Sequence, residues 1–148
     1  MQLCDSCVIW FMMPSSKANS NTPFIKQNSN EPGVGIGWST AAQELGLDRS
    51  EFFLQTKYTP FPGQDPNNVP YDPNSPIEEQ VKKSLEVSLA NLRTPYLDSW
   101  VMHSPFDTME DTMKAWRTME SFVDEGTVKR LGISNCYGRY LSACTLVV

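Results

Sequence analysis

Imidazole is nearly absent from this 148-residue chain: His103 is its one histidine. That scarcity narrows the metal chemistry open to it. A structural zinc site needs four Cys or His ligands at set spacings. Cys4 and Cys7 form a C-x-x-C, but Cys136 and Cys144 stand eight apart and His103 is remote from both pairs. A thioredoxin-like redox pair should follow a strand and open a helix, and nothing of that kind precedes Cys4. Unpaired cysteines in a reducing cytosol are therefore expected. Positive charge is also in deficit, with 12 Lys and Arg against 17 Asp and Glu and a formal net charge of -5. That balance excludes nucleic acid and anionic membrane as main partners. No apolar run approaches the roughly 20 residues a membrane-spanning helix requires. The short run "CVIWFMM" from Cys7 has no Lys or Arg before it, so it lacks the basic start of a secretory signal. A cytoplasmic location follows as the expectation. No G-x-G-x-x-G follows any strand-like segment, so the Rossmann fingerprint for dinucleotides is missing too.

What is present reads as one globular domain, with 40% hydrophobic and 20% charged residues. Residues 14 to 31 are rich in Ser, Asn and Pro and predict a loop. Val34 to Leu45 predicts a helix, weakened by Gly35 and Gly37 and closed by Gly46. "FFLQTKY", Phe52 to Tyr58, has the length and composition of a strand. A Pro- and Asn-rich loop spans Thr59 to Asn74, long enough to suggest a role of its own, with Phe61 and Tyr71 as candidates for a hydrophobic lid. Ser75-Pro76-Ile77-Glu78 predicts a capping box. Ile77, Val81, Leu85, Leu89 and Leu92 then stripe one helix face. "YLDSWVMH" is a second strand. Thr108 and Asp111 make a further helix start, Trp116, Met119 and Val123 stripe that helix, and Gly126 closes it. "TVKRLGIS" is a third strand, and "YGRYLSACTLVV" opens another helix. Strand and helix in alternation mean βαβ units and a parallel sheet.

In βα barrels the reactive groups sit where strands end. The three strands end at Lys57, at His103 and at Ser134-Asn135. Each alone has a plain structural explanation. A strand-end lysine is commonly a solvated surface residue, a lone histidine after an apolar strand is commonly a satisfied core residue, and Ser-Asn is ordinary turn chemistry. Delivered by three successive strands to one end of a sheet, they form a candidate site.

The blocks "FFLQTKY", "VKKSLEVSLANLRTPYLDSWVMHSP" and "AWRTMESFVDEGTVKRLGISN", together with "NEPGVG" from Asn30, resemble the aldo-keto reductase family in order and spacing. The resemblance implies part of a TIM (β/α)8 barrel, roughly half of it, over residues 30–148, preceded by an irregular, non-family segment over residues 1–29. It implies NADPH-dependent reduction of an aldehyde or ketone, with a small-molecule carbonyl compound as partner. By motif position Lys57 and His103 are the catalytic lysine and histidine, and Ser134 and Asn135 hold the nicotinamide carboxamide of the cofactor. The chain also departs from the pattern. The family's tyrosine falls at Asn28 or Ser29, and the first tyrosine of the chain is Tyr58. The family's aspartate has no counterpart in "NSNTPFIKQ", and the groups that grip the adenosine 2′-phosphate are not found. A fragment inactive alone is expected, one that self-associates through open sheet edges. Two other readings stand beside the enzyme: a non-catalytic remnant or protein-interaction module of the same fold, and an unrelated α/β binding domain.

Overall fold

A computed structural model describes residues 7–8, 26–27 and 30–136. Cys7–Val8 (β1) and Lys26–Gln27 (β2) form a two-residue antiparallel ladder. The elements that follow are α1 (Glu31–Leu45), β3 (Gln55–Tyr58), α2 (Ile77–Leu92), β4 (Ser99–Met102), α3 (Met109–Asp124) and β5 (Leu131–Ile133). The three later strands form a parallel sheet in the order β3-β4-β5. The helix anticipated in "YGRYLSACTLVV" lies outside the described residues.

Helix α1 starts three residues earlier than the sequence pattern suggests. Asn30 caps it, its side-chain oxygen accepting from the Gly33 N–H at 3.0 Å, with Glu31 and Pro32 in the first turn. These are the residue types a helix start favours. Gly46 ends the helix at φ 63°, a conformation glycine adopts without steric cost. Gly35 weakens the helix intrinsically but has a packing reason to be there. A Cβ at this position would lie 2.1 Å from the Asn91 carbonyl oxygen, so only glycine permits α1 to approach α2 this closely. Trp38 seals the same contact by donating its indole N–H to the Leu92 carbonyl at 2.6 Å. Glu31 ties three elements together, accepting from Thr56 at 2.5 Å, Ser88 at 2.8 Å and Asn91 at 3.2 Å.

The capping box at Ser75 does not form. Pro76 occupies the cap position with ψ 146°, and α2 begins at Ile77 without a side-chain cap. Proline biases its preceding residue away from helical backbone, which leaves Ser75 outside, donating instead to the Asp72 carbonyl at 2.8 Å. The cap at Thr108 does form. Its hydroxyl accepts from the Asp111 N–H at 3.1 Å and donates to the Asp111 carboxylate at 2.8 Å.

Helices α2 and α3 cover one face of the sheet. Trp100 of β4 is fully buried there, edge-on to Phe122 of α3 and to Tyr58 of β3. Val81, Leu85, Leu92, Met102 and Met119 complete this core. Along β3 the helix-facing residues Thr56 and Tyr58 are buried, while Gln55 and Lys57 on the opposite face are half-buried. The third strand is shorter than its sequence suggests, because the β4–β5 ladder is interrupted at Asp98. Leu97 and Val128 form an isolated bridge, and the Asp98 N–H turns to the Leu54 carbonyl. Cys136 is disulfide-bonded, which corrects the expectation of unpaired thiols.

Candidate active site

Register decides which side chains share a face. Lys57 pairs with Val101, and Val101 pairs with Gly132. Side chains alternate along a strand, so His103, two beyond Val101, and Ser134, two beyond Gly132, fall on the same face as Lys57. The ladder continues past the strand ends to hold them. His103 N–H donates to the Tyr58 carbonyl at 2.8 Å, and Ser134 N–H to the Met102 carbonyl at 2.8 Å. Lys57, His103 and Ser134 therefore come together at the C-terminal ends of three adjacent parallel strands, on the face opposite the helices.

His103 is held on three sides. Its carbonyl accepts from the Asn135 side-chain amide at 2.6 Å, and its Nδ1 lies 3.1 Å from the Thr59 hydroxyl. Asn135 adopts φ 57°, the left-handed region that Asn tolerates better than most residues. Its short amide can then reach back across the strand end to His103. Thr59 opens the long loop, and that loop fixes it in turn. The Thr59 carbonyl accepts from the Tyr71 hydroxyl at 2.7 Å and from the Gln64 amide at 2.9 Å.

Tyr71 is not a lid. It is buried in the core beside Tyr58, with ring centroids 6.0 Å apart, whereas Phe61 is exposed. Tyr58 follows Lys57 directly in sequence, yet its ring lies on the other face of the sheet. Its hydroxyl is fully buried and has no hydrogen-bond partner among the described residues. Burial, reinforced by the neighbouring Tyr71, pushes its ionisation far above that of an ordinary phenol. Tyr58 therefore cannot give a proton on the Lys57 side. Burial also raises Tyr71. The positions at which the resembled family carries its tyrosine, 28 and 29, lie outside the described residues.

A second polar cluster sits at the opposite end of the strands. Asp98 pairs with Arg49 and with Lys129, each at 2.9 Å, and accepts from the Leu54 N–H at 3.0 Å. Burial pushes its carboxyl up, but the Leu54 N–H, Lys129 and Arg49 together outweigh burial and hold it below the usual carboxylate range. Arg49 also donates to Thr94, Phe52 and Tyr96, and stacks 4.0 Å over the Tyr96 ring. Sequence reasoning did not single out this cluster, because its members are far apart in the chain. The signal was an aspartate placed within an apolar strand, which needs partners if it is buried. Groups at the N-terminal ends of barrel strands serve stability rather than chemistry.

Comparison with known proteins agrees with this fold. The family model "Aldo/keto reductase family" matches residues 27–146. The chain belongs to the aldo/keto reductase family. It is 30% identical over 106 residues to the uncharacterized oxidoreductase YtbE of Bacillus subtilis, covering 72% of this chain and 32% of that protein. To the glyoxal reductase of Bacillus subtilis it is 32% identical over 107 residues, covering 72% and 32%. Among solved structures, the aldose reductase of Schistosoma japonicum superimposes with a TM-score of 0.59 at 29% identity, covering 79% of this chain and 40% of that one. The fold likeness extends to an aldo-keto reductase of Bombyx mori in complex with NADP, with a TM-score of 0.59 at 23% identity, covering 80% and 36%. This member of the family thus spans about a third of the length of the curated relatives it matches. Its three parallel strands and their helices are part of the (β/α)8 barrel.

Proposed function

We propose that this aldo/keto reductase chain carries the strand-end half of a carbonyl-reducing site, with NADPH as hydride source and a small reactive aldehyde or ketone as substrate. The convergence of Lys57, His103 and Ser134 at three adjacent strand ends is the observation that carries this reading. Among relatives, one is named a methylglyoxal reductase, one a glyoxal reductase and one an NAD(P)H-dependent D-xylose reductase, which favours a nicotinamide cofactor and a small carbonyl compound. NADPH, when bound, supplies the hydride that attacks the carbonyl carbon. Negative charge then grows on the carbonyl oxygen, and donors aimed at that oxygen stabilise the transition state. The Lys57 ammonium and the His103 imidazole are donors of the right kind. The Ser134 hydroxyl and the Asn135 amide match a carboxamide, which needs one acceptor and one donor. Asn135 already gives one N–H to the His103 carbonyl, which fixes its amide at the strand end.

Asn28 and Ser29 stand where the family's tyrosine would be, and Tyr58 faces the core, so among the described residues no phenol is placed to complete the alcohol. In this reading the His103 Nε2–H hydrogen-bonds the developing alkoxide, solvent water supplies the proton that makes the alcohol, and turnover is slow. The test is NADPH oxidation by the purified chain with methylglyoxal. A rate below the enzyme-typical ~1–10³ s⁻¹, lost in Lys57→Met and in His103→Ala, is expected. A rate that both variants keep would overturn the assignment. The missing phenol also favours a second reading, a non-catalytic module of the same fold. Absence of both turnover and NADPH binding would decide for it.

A further inference from the structure

We infer that Thr59 is a positioning residue for His103: its hydroxyl donates to Nδ1 and so keeps the imidazole proton on Nε2. The inference deepens the reading of His103 as the donor to a carbonyl oxygen and rests on that reading for its purpose. Its structural basis is separate. A neutral imidazole carries one N–H, and the partner of one ring nitrogen decides which nitrogen bears it. Thr59 Oγ1 lies 3.1 Å from Nδ1. A threonine hydroxyl can donate or accept, and only donation to Nδ1 leaves Nε2 protonated, the form able to donate toward substrate.

The loop after β3 supports this contact from behind. Tyr71, itself buried, donates its hydroxyl to the Thr59 carbonyl at 2.7 Å, and Gln64 donates to the same oxygen at 2.9 Å. The backbone of His103 is fixed independently, by the Tyr58 carbonyl on one side and the Asn135 amide on the other. With the backbone fixed, the ring has its χ angles left to set, and Thr59 is placed to set them. The loop from Thr59 to Asn74 thus acts as a brace beneath the site. Its length is explained by the need to carry Tyr71 and Gln64 back to the residue where the loop began.

Because His103 is the one histidine of the chain, its ring can be read without assignment. The experiment is a long-range 1H–15N correlation spectrum of the full chain labelled at histidine, at a pH above the imidazole range. In the wild type, Nε2 should carry the proton and Nδ1 should show the upfield displacement of a nitrogen that accepts a hydrogen bond. Thr59→Val should lose that displacement and admit the other tautomer, and Thr59→Ser should restore the wild-type spectrum. A protonated Nδ1 in the wild type would overturn the inference, and this result needs no variant to fold. An Nδ1 signal identical in the wild type and Thr59→Val would also overturn it. The readout is independent of turnover. If the spectra behave as expected and no carbonyl is reduced, the functional reading fails and the Thr59 contact stands. If carbonyl reduction is found and the spectra do not respond to Thr59, this inference alone fails.

Discussion

At the scale of single residues, glycine shows how one side chain type carries two meanings. Gly35 and Gly37 sit two apart in α1, and both lower its intrinsic helix propensity. A Cβ at Gly35 would collide with the Asn91 carbonyl, whereas one at Gly37 would meet nothing within 4 Å. Gly35→Ala should therefore destabilise the chain by about 1–3 kcal/mol, as overpacking does. Gly37→Ala should stabilise it by about 0.5–1 kcal/mol through helix propensity. Urea unfolding of the two variants checks both signs. Nothing in the sequence separates these glycines, since the distinction depends on Asn91, 56 positions away from Gly35. Lys57 and His103 were legible for the opposite reason. Each ends an apolar strand, so its place along the sheet follows from local pattern. Thr59 was not legible as a partner of His103, because the contact spans 44 positions.

At the scale of elements, helix starts separate the local rules that hold from those that give way. Both Ser75 and Thr108 carry a capping sequence, and only Thr108 caps. Thr108→Ala removes the oxygen that accepts the Asp111 N–H and should cost about 0.5–2 kcal/mol. Ser75→Ala removes a hydroxyl that donates to a loop carbonyl near the surface, and should stay within about 0.5 kcal/mol. Thermal melts of the pair, followed by far-UV circular dichroism, should show the larger fall for Thr108→Ala. The apolar stripes of α2 and α3 could be read directly, since periodicity reports the buried face. The polar side of the α1–α2 contact could not. Ser84 and Ser88 are buried in α2 although they are not apolar, and Ser88 is there to meet Glu31.

At the scale of the whole molecule, one carboxylate couples distant parts of the chain. Asp98 joins β4 to Leu54 before β3, to Arg49 after α1 and to Lys129 before β5. Its side chain is 10% exposed, and removing one member of such a buried pair costs about 3–5 kcal/mol. Its folded carboxyl is held below the ordinary aspartate value of about 3.9. Stability from Asp98 is thus intact above that ordinary value and is lost as pH falls through the lowered folded one. Asp98→Asn should be less stable than the wild type at neutral pH, and the gap should close as the solution is acidified. Urea midpoints measured from pH 7 down to pH 3 check this; a gap that stays constant would refute the role given to the charge. The barrel architecture itself was legible, because alternating strands and helices and the ordered motifs are properties of the sequence alone. The tie at Asp98 depends on three segments meeting in space.

The two faces of β3 and β4 differ in what a substitution there puts at stake. Tyr58, Trp100 and Met102 point to the helices and are fully buried, while Lys57, Val101 and His103 on the other face are half-buried. A lineage can therefore exchange the side chains of that second face without disturbing the packing that makes the domain fold. Catalytic groups can disappear while the scaffold persists, and the scaffold then remains as a platform on which a different chemistry can be selected.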